Sequence, residues 1–486
     1  MRRGDFNSCW GYETNCSSDH RYFQTKCPDD SQNWAKSKRD QENLFFNQAD
    51  FGYVREIRRE LRSFCDPDSE SQDASKLECS RFTRFCRGRN IYINFSRIGK
   101  VPEPMKYRDD VLEDGQIGGW ECKLKKKELM REGEHRSPLQ SWFEEIEHFT
   151  VRDIEDVKCD VTIEKPTFLM KLDATINMYH HFCDFLNLYL TLHVNSSFNF
   201  DNNILIWDTG RYNSNFGITW KAFTDHEIMH LTPFRGLYSC FFFSIPLLSS
   251  TPFSFVSEKT VCFKDIVFPL LPRMVFGMYY NMPLVPGCYG SGVFHAFRRH
   301  VLHRLRVKVD PVTEGMKKIR ITIIDRQTRH RNILNIDELI ESVRKKNKNF
   351  VVKKVNFHHR MPFLDQLSIT ANTDILIGMH GAGLTHALFL PDDGVLFELY
   401  NCDDELCYKD LARLRGVKYM TWEKETMLHP QDAGHHPQMG AHKKFTNYTF
   451  DKDEFLRLVM IAVRQVRSGR AKPSDASATR RRSGEL

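Results

Sequence analysis

Arg326, Arg331 and a turn containing Gly378, Gly381 and Gly383 are the residues whose types and spacing suit the binding of phosphate. The glycines lie in the stretch Thr373-Asp374-Ile375-Leu376-Ile377-Gly378-Met379-His380-Gly381-Ala382-Gly383-Leu384-Thr385-His386. Its apolar run, Ile375 to Ile377, reads as a strand covered on both faces and running into a glycine turn. All three glycines are expected to admit positive φ and a close approach of backbone to ligand. A helix starting near Leu384 would direct unpaired N–H groups and a dipole toward an anion. The other reading is an ordinary strand-turn-helix with glycines for packing. The spacing is not the dinucleotide fingerprint, and no Walker Lys-Ser/Thr pair follows. Arg326 and Arg331 come just after the strand Ile319–Ile324, and an arginine fork suits phosphate oxygens. His380 and His386 flank the turn, the first placed to meet phosphate and the second more suited to core. Glu398 ends the next strand, where it serves as a hydroxyl acceptor or as a cap or ion-pair partner. His180 and Asp184 are four apart and share a helix face, which suits either an imidazole base oriented by a carboxylate or a structural bond. His181, about 100° away, reads as packing.

The elements that position these residues alternate. Strands are expected at Asp160–Glu164, Thr167–Lys171, Ile204–Trp207, Ile319–Ile324, Phe350–Phe357 and Gly394–Leu399. Helices are expected at Asn177–His193, from a capping box at Asn335-Ile336-Asp337-Glu338 through Val343, at Phe363–Ile369 and at Phe455–Val466. Trp220–Phe223 and Phe263–Leu271 continue the pattern. Such alternation implies parallel, doubly wound sheets with ligands at the carboxyl ends of the strands. The expected architecture is α/β: residues 1–150 a Cys-rich extension, 151–312 a first Rossmann-like domain with an insert at about 233–257, 313–467 a second, and 468–486 a disordered tail. Within the extension, helical patterns occur near Tyr53–Phe64 and Leu139–Phe149.

Composition narrows the class. A net charge of +7 over 486 residues, partly carried by Arg480-Arg481-Arg482, gives little support for nucleic acid. Fourteen Cys, eight of them at or before Cys159 and none in a CxxC pair, fit disulfides rather than structural zinc. The sequons at Asn94, Asn195 and Asn447 point to the same oxidising compartment, and Asn15-Cys16-Ser17 is a poorer match. The start, Met1-Arg2-Arg3-Gly4-Asp5, has no apolar leader, which is read as a missing N-terminus. Gly236 to Ser257 carries no charge and is long enough to span a membrane. Its prolines and serines oppose that, and its Phe-Ser-Pro-Leu bias suits translated intron sequence.

Several stretches carry a resemblance: Gly11–Cys16, Ser137–Phe143, Asn177–Phe185, Phe363–Leu367, Met379–His386 and Phe397–Cys402. Through them nearly the whole chain resembles the EGF-domain-specific O-linked N-acetylglucosamine transferases of the endoplasmic reticulum. The resemblance implies a GT-B arrangement of the two Rossmann-like domains facing across a cleft, UDP-N-acetylglucosamine as donor, a Ser or Thr of a folded EGF repeat as acceptor, and inversion at the anomeric carbon. It carries the pair Arg326 and Arg331 as well, and with UDP as the leaving group the residues read as donor contacts are Arg326, Arg331, His380, Gly381, Ala382, Gly383 and Glu398, the last toward the ribose hydroxyls. It also matches an Asn-x-x-His-x-x-x-Asp pattern at Asn177, His180 and Asp184, making the last two the catalytic candidates. Asp225-His226-Glu227 stands where the family has an Asp-x-Asp-like triplet, so Asp225 and Glu227 are candidates for Mn²⁺ or Mg²⁺. The family implies an endoplasmic reticulum lumen location, no membrane span, and no segment like Gly236–Ser257. Its retrieval signal is reduced here to Ser483-Gly484-Glu485-Leu486. Two other readings are an O-mannose-directed N-acetylglucosaminyltransferase and an inactive secretory binding protein of the same fold.

Overall fold

The fold is that of a computed structural model, which describes residues 25–27, 35–68, 73–95, 98, 112–135, 139–207, 212–235, 259–273, 277–279, 287–311, 318–399, 406–438 and 440–471. The apolar segment Gly236–Ser257, the stretch Gly11–Cys16 and the chain's last fifteen residues lie outside them. The chain forms two compact units: Phe51–Ile176 with His180–Leu284, and Met1–Asp50 with Asn177–Tyr179 and Val285–Leu486.

The unit that includes Phe51–Ile176 is built on a mixed eleven-stranded sheet. Its parallel part runs Met229–His230, Asn203–Ile206, Thr167–Met170, Thr260–Phe268, so the first strand in sequence sits inside and the last lies on its other side. Thr260–Phe268 then pairs antiparallel along its whole length with Cys86–Asn94, and Lys76–Cys79, Arg62–Pro67 and Cys122–Leu124 follow. Strands within residues 62–152 and strands within 161–268 thus share one sheet, whereas the Cys-rich part reads as irregular in sequence. The helical pattern at Tyr53–Phe64 divides into the helix Phe51–Arg59 and the strand Arg62–Pro67. The pattern at Leu139–Phe149 keeps a single α-helical turn, Phe143–Ile146, because Phe149 opens a strand paired with Ile117–Trp120. Aromatic edges fill the core: Trp142 meets Phe268 at 5.3 Å and Trp207 at 6.1 Å, and Phe95 meets Trp207 at 5.7 Å. Disulfides join Cys65 to Cys122, Cys79 to Cys86 and Cys159 to Cys262. Such bonds contribute about 2–4 kcal/mol each by constraining the unfolded chain.

The other unit is built on a five-stranded, all-parallel sheet in the order Phe350–Val355, Ile319–Ile324, Ile375–Gly378, Val395–Glu398, Lys418–Thr421, with a separate antiparallel pair, Leu428–Pro430 and Tyr448–Phe450. Numbered by sequence this is 2-1-3-4-5, a doubly wound order. Ile321, Ile323, Ile375, Ile377, Val395 and Phe397 join a core with the helices Ile336–Lys346 and Lys452–Ala471. The residues between them, Leu376 and Leu396, are also fully buried, so the strands are covered on both faces, as their unbroken apolar runs require. At the amino end of the central strand, buried Asp374 pairs with Arg320 and Arg470. Cys27–Cys288 ties this unit's first residues to its later ones, and the Asp50 carboxylate accepts from the backbone N–H groups of Gly292 and Val293 at the start of the helix Gly292–Arg304.

Two local expectations are corrected. Asn335 stands at the N-cap of Ile336–Lys346, but its side chain does not close a capping box. Its amide instead pairs with the backbone of Phe450, donating to the carbonyl at 2.9 Å and accepting from the N–H at 3.1 Å. A nearby strand edge has outcompeted the local cap. The last helix, Lys452–Ala471, also runs past Ser468, because its apolar face continues to Val466 and the final turn is carried with it.

Candidate functional site

In a 2-1-3-4-5 sheet, the connections leaving strands 1 and 3 go to opposite sides, and a crevice opens between their carboxyl ends. Those ends here are Ile324, followed by Arg326, and Gly378, followed by His380 and Gly381. The residues expected to bind phosphate are therefore brought together. Gly381 takes φ +151° and its Cβ position overlaps the Arg326 guanidinium, so the arginine lies directly on the glycine backbone. Arg331, itself at φ +63°, donates from Nη1 to the His380 carbonyl at 3.0 Å. Arg326 is held at its other edge: Nε donates to Thr328 Oγ1 at 2.8 Å, and Thr328 Oγ1 donates to the His330 carbonyl. Asn332 closes this loop through Thr328, and Asn447 Oδ1 accepts from Asn332 N and Nδ2, both at 2.9 Å.

The electrostatics suit an anion. Burial, and next the charge of Arg331, lower Arg326 to about 10. Among the described residues no carboxylate pairs with Arg326, so a bound anion would supply the missing counter-charge. Glu398 is fully buried behind the turn, one oxygen 2.6 Å from His380 Nδ1 and the other accepting from Tyr419 Oη at 2.6 Å. Both oxygens are thus engaged within the protein, and Glu398 orients the His380 ring. Of the three glycines only Gly381 has positive φ. Gly378 ends a regular strand, and a Cβ at Gly383 would make only ordinary contact with Ile324. The turn leads into a 3₁₀ helix, Ala382–Phe389, instead of an α-helix from Leu384. The dipole contribution is correspondingly smaller, and the arginines dominate. His386 is core: it stacks on Phe357 at 4.2 Å, Nδ1 faces the Gly383 carbonyl, and burial lowers it to about 4.

The second candidate cluster lies at the helix Met178–Asn195, with pairings other than those its spacing suggests. Asp184 does not orient His180. Its Oδ2 lies 2.8 Å from His181 Nδ1 and its Oδ1 accepts from Asp173 N at 3.2 Å. His181 is fully buried, its Nε2 3.0 Å from Tyr212 Oη, and burial lowers it to about 3. His180, half-exposed, places Nδ1 2.8 Å from Asp173 Oδ2. Arg273 grips the same carboxylate bidentately, Nε to Oδ2 and Nη2 to Oδ1, both at 2.9 Å. Burial alone would raise the Asp173 carboxyl, but the bonds from His180 and Arg273 outweigh it and hold it below the usual range. The i, i+4 rule puts two residues on one face but says nothing of an approaching loop, and the loop at Asp173 arrives first.

Asp225 and Glu227 are both exposed, on the stretch leading to Met229–His230. His226 between them turns onto Asp201, which also takes Lys165. Among the described residues no group of three His, Cys, Asp or Glu is arranged to hold a metal. Asn94 donates to Thr260 Oγ1 from within its strand, Asn195 ends its helix and donates to Ser197 Oγ, and Asn447 is the brace just described. The sequence reading passed over Asp173, Arg273, Thr328, Asn332 and Tyr419. Asp173 follows an expected strand and Arg273 follows Phe263–Leu271, read only as continuing the alternation; position past a parallel strand's carboxyl end was the available signal.

Residues 178–397 match the family model described as Glycosyltransferase 61. The class so defined is a glycosyltransferase, and the matched residues include both the helix that carries His180 and the turn at Gly381. Among curated relatives, proteins named EGF domain-specific O-linked N-acetylglucosamine transferase are similar over almost the whole chain. The one from Xenopus laevis is 50% identical over 461 residues, 94% of this chain and 82% of its own length. That from Rattus norvegicus is 48% identical over 466 residues, covering 95% and 83%. That from Drosophila melanogaster is 47% identical over 479 residues, covering 97% and 86%. The chain belongs to the family of EGF domain-specific O-linked N-acetylglucosamine transferases.

Proposed function

We propose that this protein transfers N-acetylglucosamine from UDP-N-acetylglucosamine to Ser or Thr hydroxyls of folded EGF repeats, in the lumen of the endoplasmic reticulum and with inversion. The observation that carries the donor half is Arg326 lying on the Gly381 backbone at the crevice between strands 1 and 3, with Arg331 tied to His380 beside it. The diphosphate sits on this turn, where the two guanidinium groups and the Ala382–Phe389 N–H groups take up charge as UDP leaves. The names of the relatives support the sugar and the acceptor. Two sheets with parallel strands in doubly wound order support a GT-B-type enzyme. Inversion needs one in-line displacement and one base. His180 is the base: the acceptor hydroxyl gives it a proton, the oxygen bonds to the anomeric carbon, and the sugar–phosphate bond breaks toward UDP. No helix among the described residues is long and apolar enough to cross a membrane. The four disulfides among them support an oxidising compartment.

The test is incubation of the purified protein with a folded EGF repeat and a panel of UDP-sugars, followed by product mass and anomeric configuration. The reading expects one N-acetylhexosamine added, only from UDP-N-acetylglucosamine and with β linkage. Transfer to an O-mannosyl peptide but not to the EGF repeat would overturn the acceptor assignment. UDP binding without turnover would overturn the enzyme. For the compartment, native protein should carry glycan at one or more of Asn94, Asn195 and Asn447; unglycosylated protein with all thiols reduced would sink it.

A further inference from the structure

We infer that Asp173 and Arg273 are the positioning pair for the acceptor-activating base, holding His180 as the tautomer with its proton on Nδ1 and its lone pair on Nε2. The inference rests on the reading of His180 as the base and deepens it.

The placement follows from the sheet. Thr167–Met170 and Thr260–Phe268 are adjacent and parallel, with Thr167 opposite Ile266 and Phe168 opposite Val267. Strand order reverses at this pair: later parallel strands lie beyond Thr167–Met170, and an antiparallel run lies beyond Thr260–Phe268. It is the counterpart in this unit of the strand 1–strand 3 crevice in the other. Asp173 comes just past one carboxyl end and Arg273 just past the other, so residues 100 apart in sequence meet there.

Both ends are anchored from one stretch. The Leu139 carbonyl accepts from Arg273 N at 3.0 Å, and Trp142 Nε1 donates to the Pro269 carbonyl at 2.7 Å. Glu145 pairs with buried Lys171, two residues before Asp173, and the Lys171 ammonium lies 4.6 Å over the Trp142 ring. Asp184 takes Asp173 N from the helix side. The carboxylate therefore has little freedom to move.

The chemistry follows from the partners of His180 Nδ1. A carboxylate oxygen stands at 2.8 Å and can only accept, whereas Arg273 Nη2, a competing donor, stands farther off at 3.5 Å and is already bonded to Asp173 Oδ1. Nδ1 therefore carries the proton. In the transfer step the acceptor O–H proton moves to Nε2, the oxygen–carbon bond forms, and the carbon–UDP bond breaks with its electron pair leaving on UDP. Asp173 faces the imidazolium so formed, and Arg273 keeps the carboxylate ionised and fixed between turnovers.

The experiment combines steady-state kinetics with ¹⁵N NMR of histidine-labelled full-length protein, His180 being assigned with His180→Gln. The parent should show the Nδ1–H tautomer; an Nε2–H tautomer in the parent overturns the inference without needing any variant. Asp173→Asn should lower kcat by about 10²-fold or more with UDP affinity within twofold, and should move the His180 ring resonances. Arg273→Lys should recover activity that Arg273→Gln loses. Full kcat in folded Asp173→Asn, with His180→Gln inactive, overturns the positioning pair alone. Full kcat in folded His180→Gln overturns the base and the pair together.

Discussion

The molecule holds its arginines in two opposite ways. Arg326 lies on a glycine backbone with no carboxylate partner among the described residues, partly stripped of water, and its charge is directed at whatever binds. Arg273 is spent on Asp173, which it grips with two bonds that balance its charge. One site stores an unbalanced charge for a ligand; the other balances its charges to fix the direction of a ring. A neutral pair left in place costs little, whereas an uncompensated buried cation costs stability until an anion arrives. On the function proposed above, the difference separates a group that contacts a charged substrate from one that orients another residue.

The largest effect should come from the balanced cluster. His180→Ala is expected to reduce turnover by about 10²–10⁴-fold. UDP affinity should stay within twofold, because no donor contact is assigned to it. A parallel loss of UDP binding would place His180 in the donor site and erase the distinction between the clusters. Next comes the unbalanced site. Arg326→Ala removes a charge-assisted contact of roughly 1.5–3 kcal/mol, about one to two decades in kcat/KM. Gly381→Val should do at least as much, since its side chain must displace the same guanidinium. Donor kinetics within twofold of the parent for folded Arg326→Ala would rule out its phosphate role.

Thermal melts without ligand sharpen the contrast further. Arg273→Ala should lower the midpoint, because buried Asp173 loses two of its hydrogen bonds. Arg326→Ala should leave it unchanged or raise it, and should abolish the rise that UDP gives the parent. Equal losses in both would mean that Arg326 is balanced after all. The smallest expected effect is on acid stability. His181 and His386 are held neutral by burial, near 3 and 4 against an ordinary 6.5. Lowered values mean that the unfolded chain takes up the proton first, so stability is full above about 6.5 and falls with pH through each window. Each contributes a slope of about 1.4 kcal/mol per pH unit inside its window. Denaturant melts between pH 5.5 and 4.5 should show about one proton fewer taken up on unfolding in His386→Gln than in the parent. An unchanged slope would mean that His386 is charged in the fold.

What the sequence determined by itself was local. The strands at Ile319–Ile324 and Val395–Glu398, the helix at Met178–Asn195 and the glycine turn are legible because buried parallel strands must be unbroken apolar runs and helices must repeat every three to four residues. That Arg326 and Gly381 come together was legible for the same reason: each lies within a few residues of a recognisable strand end. Family resemblance supplied the sugar and the acceptor, which no periodicity encodes. What only the tertiary structure decided were the partners. Spacing offered Asp184 to His180, yet the loop after Thr167–Met170 brought Asp173, and the stretch after Thr260–Phe268 brought Arg273, 100 positions further on. Asn335 likewise gave up its cap for the backbone of Phe450, 115 residues away. A polar side chain takes whichever acceptor or donor packing brings within about 3 Å. Which one arrives depends on the order of strands in the sheet, and that order is set by burial of the whole core.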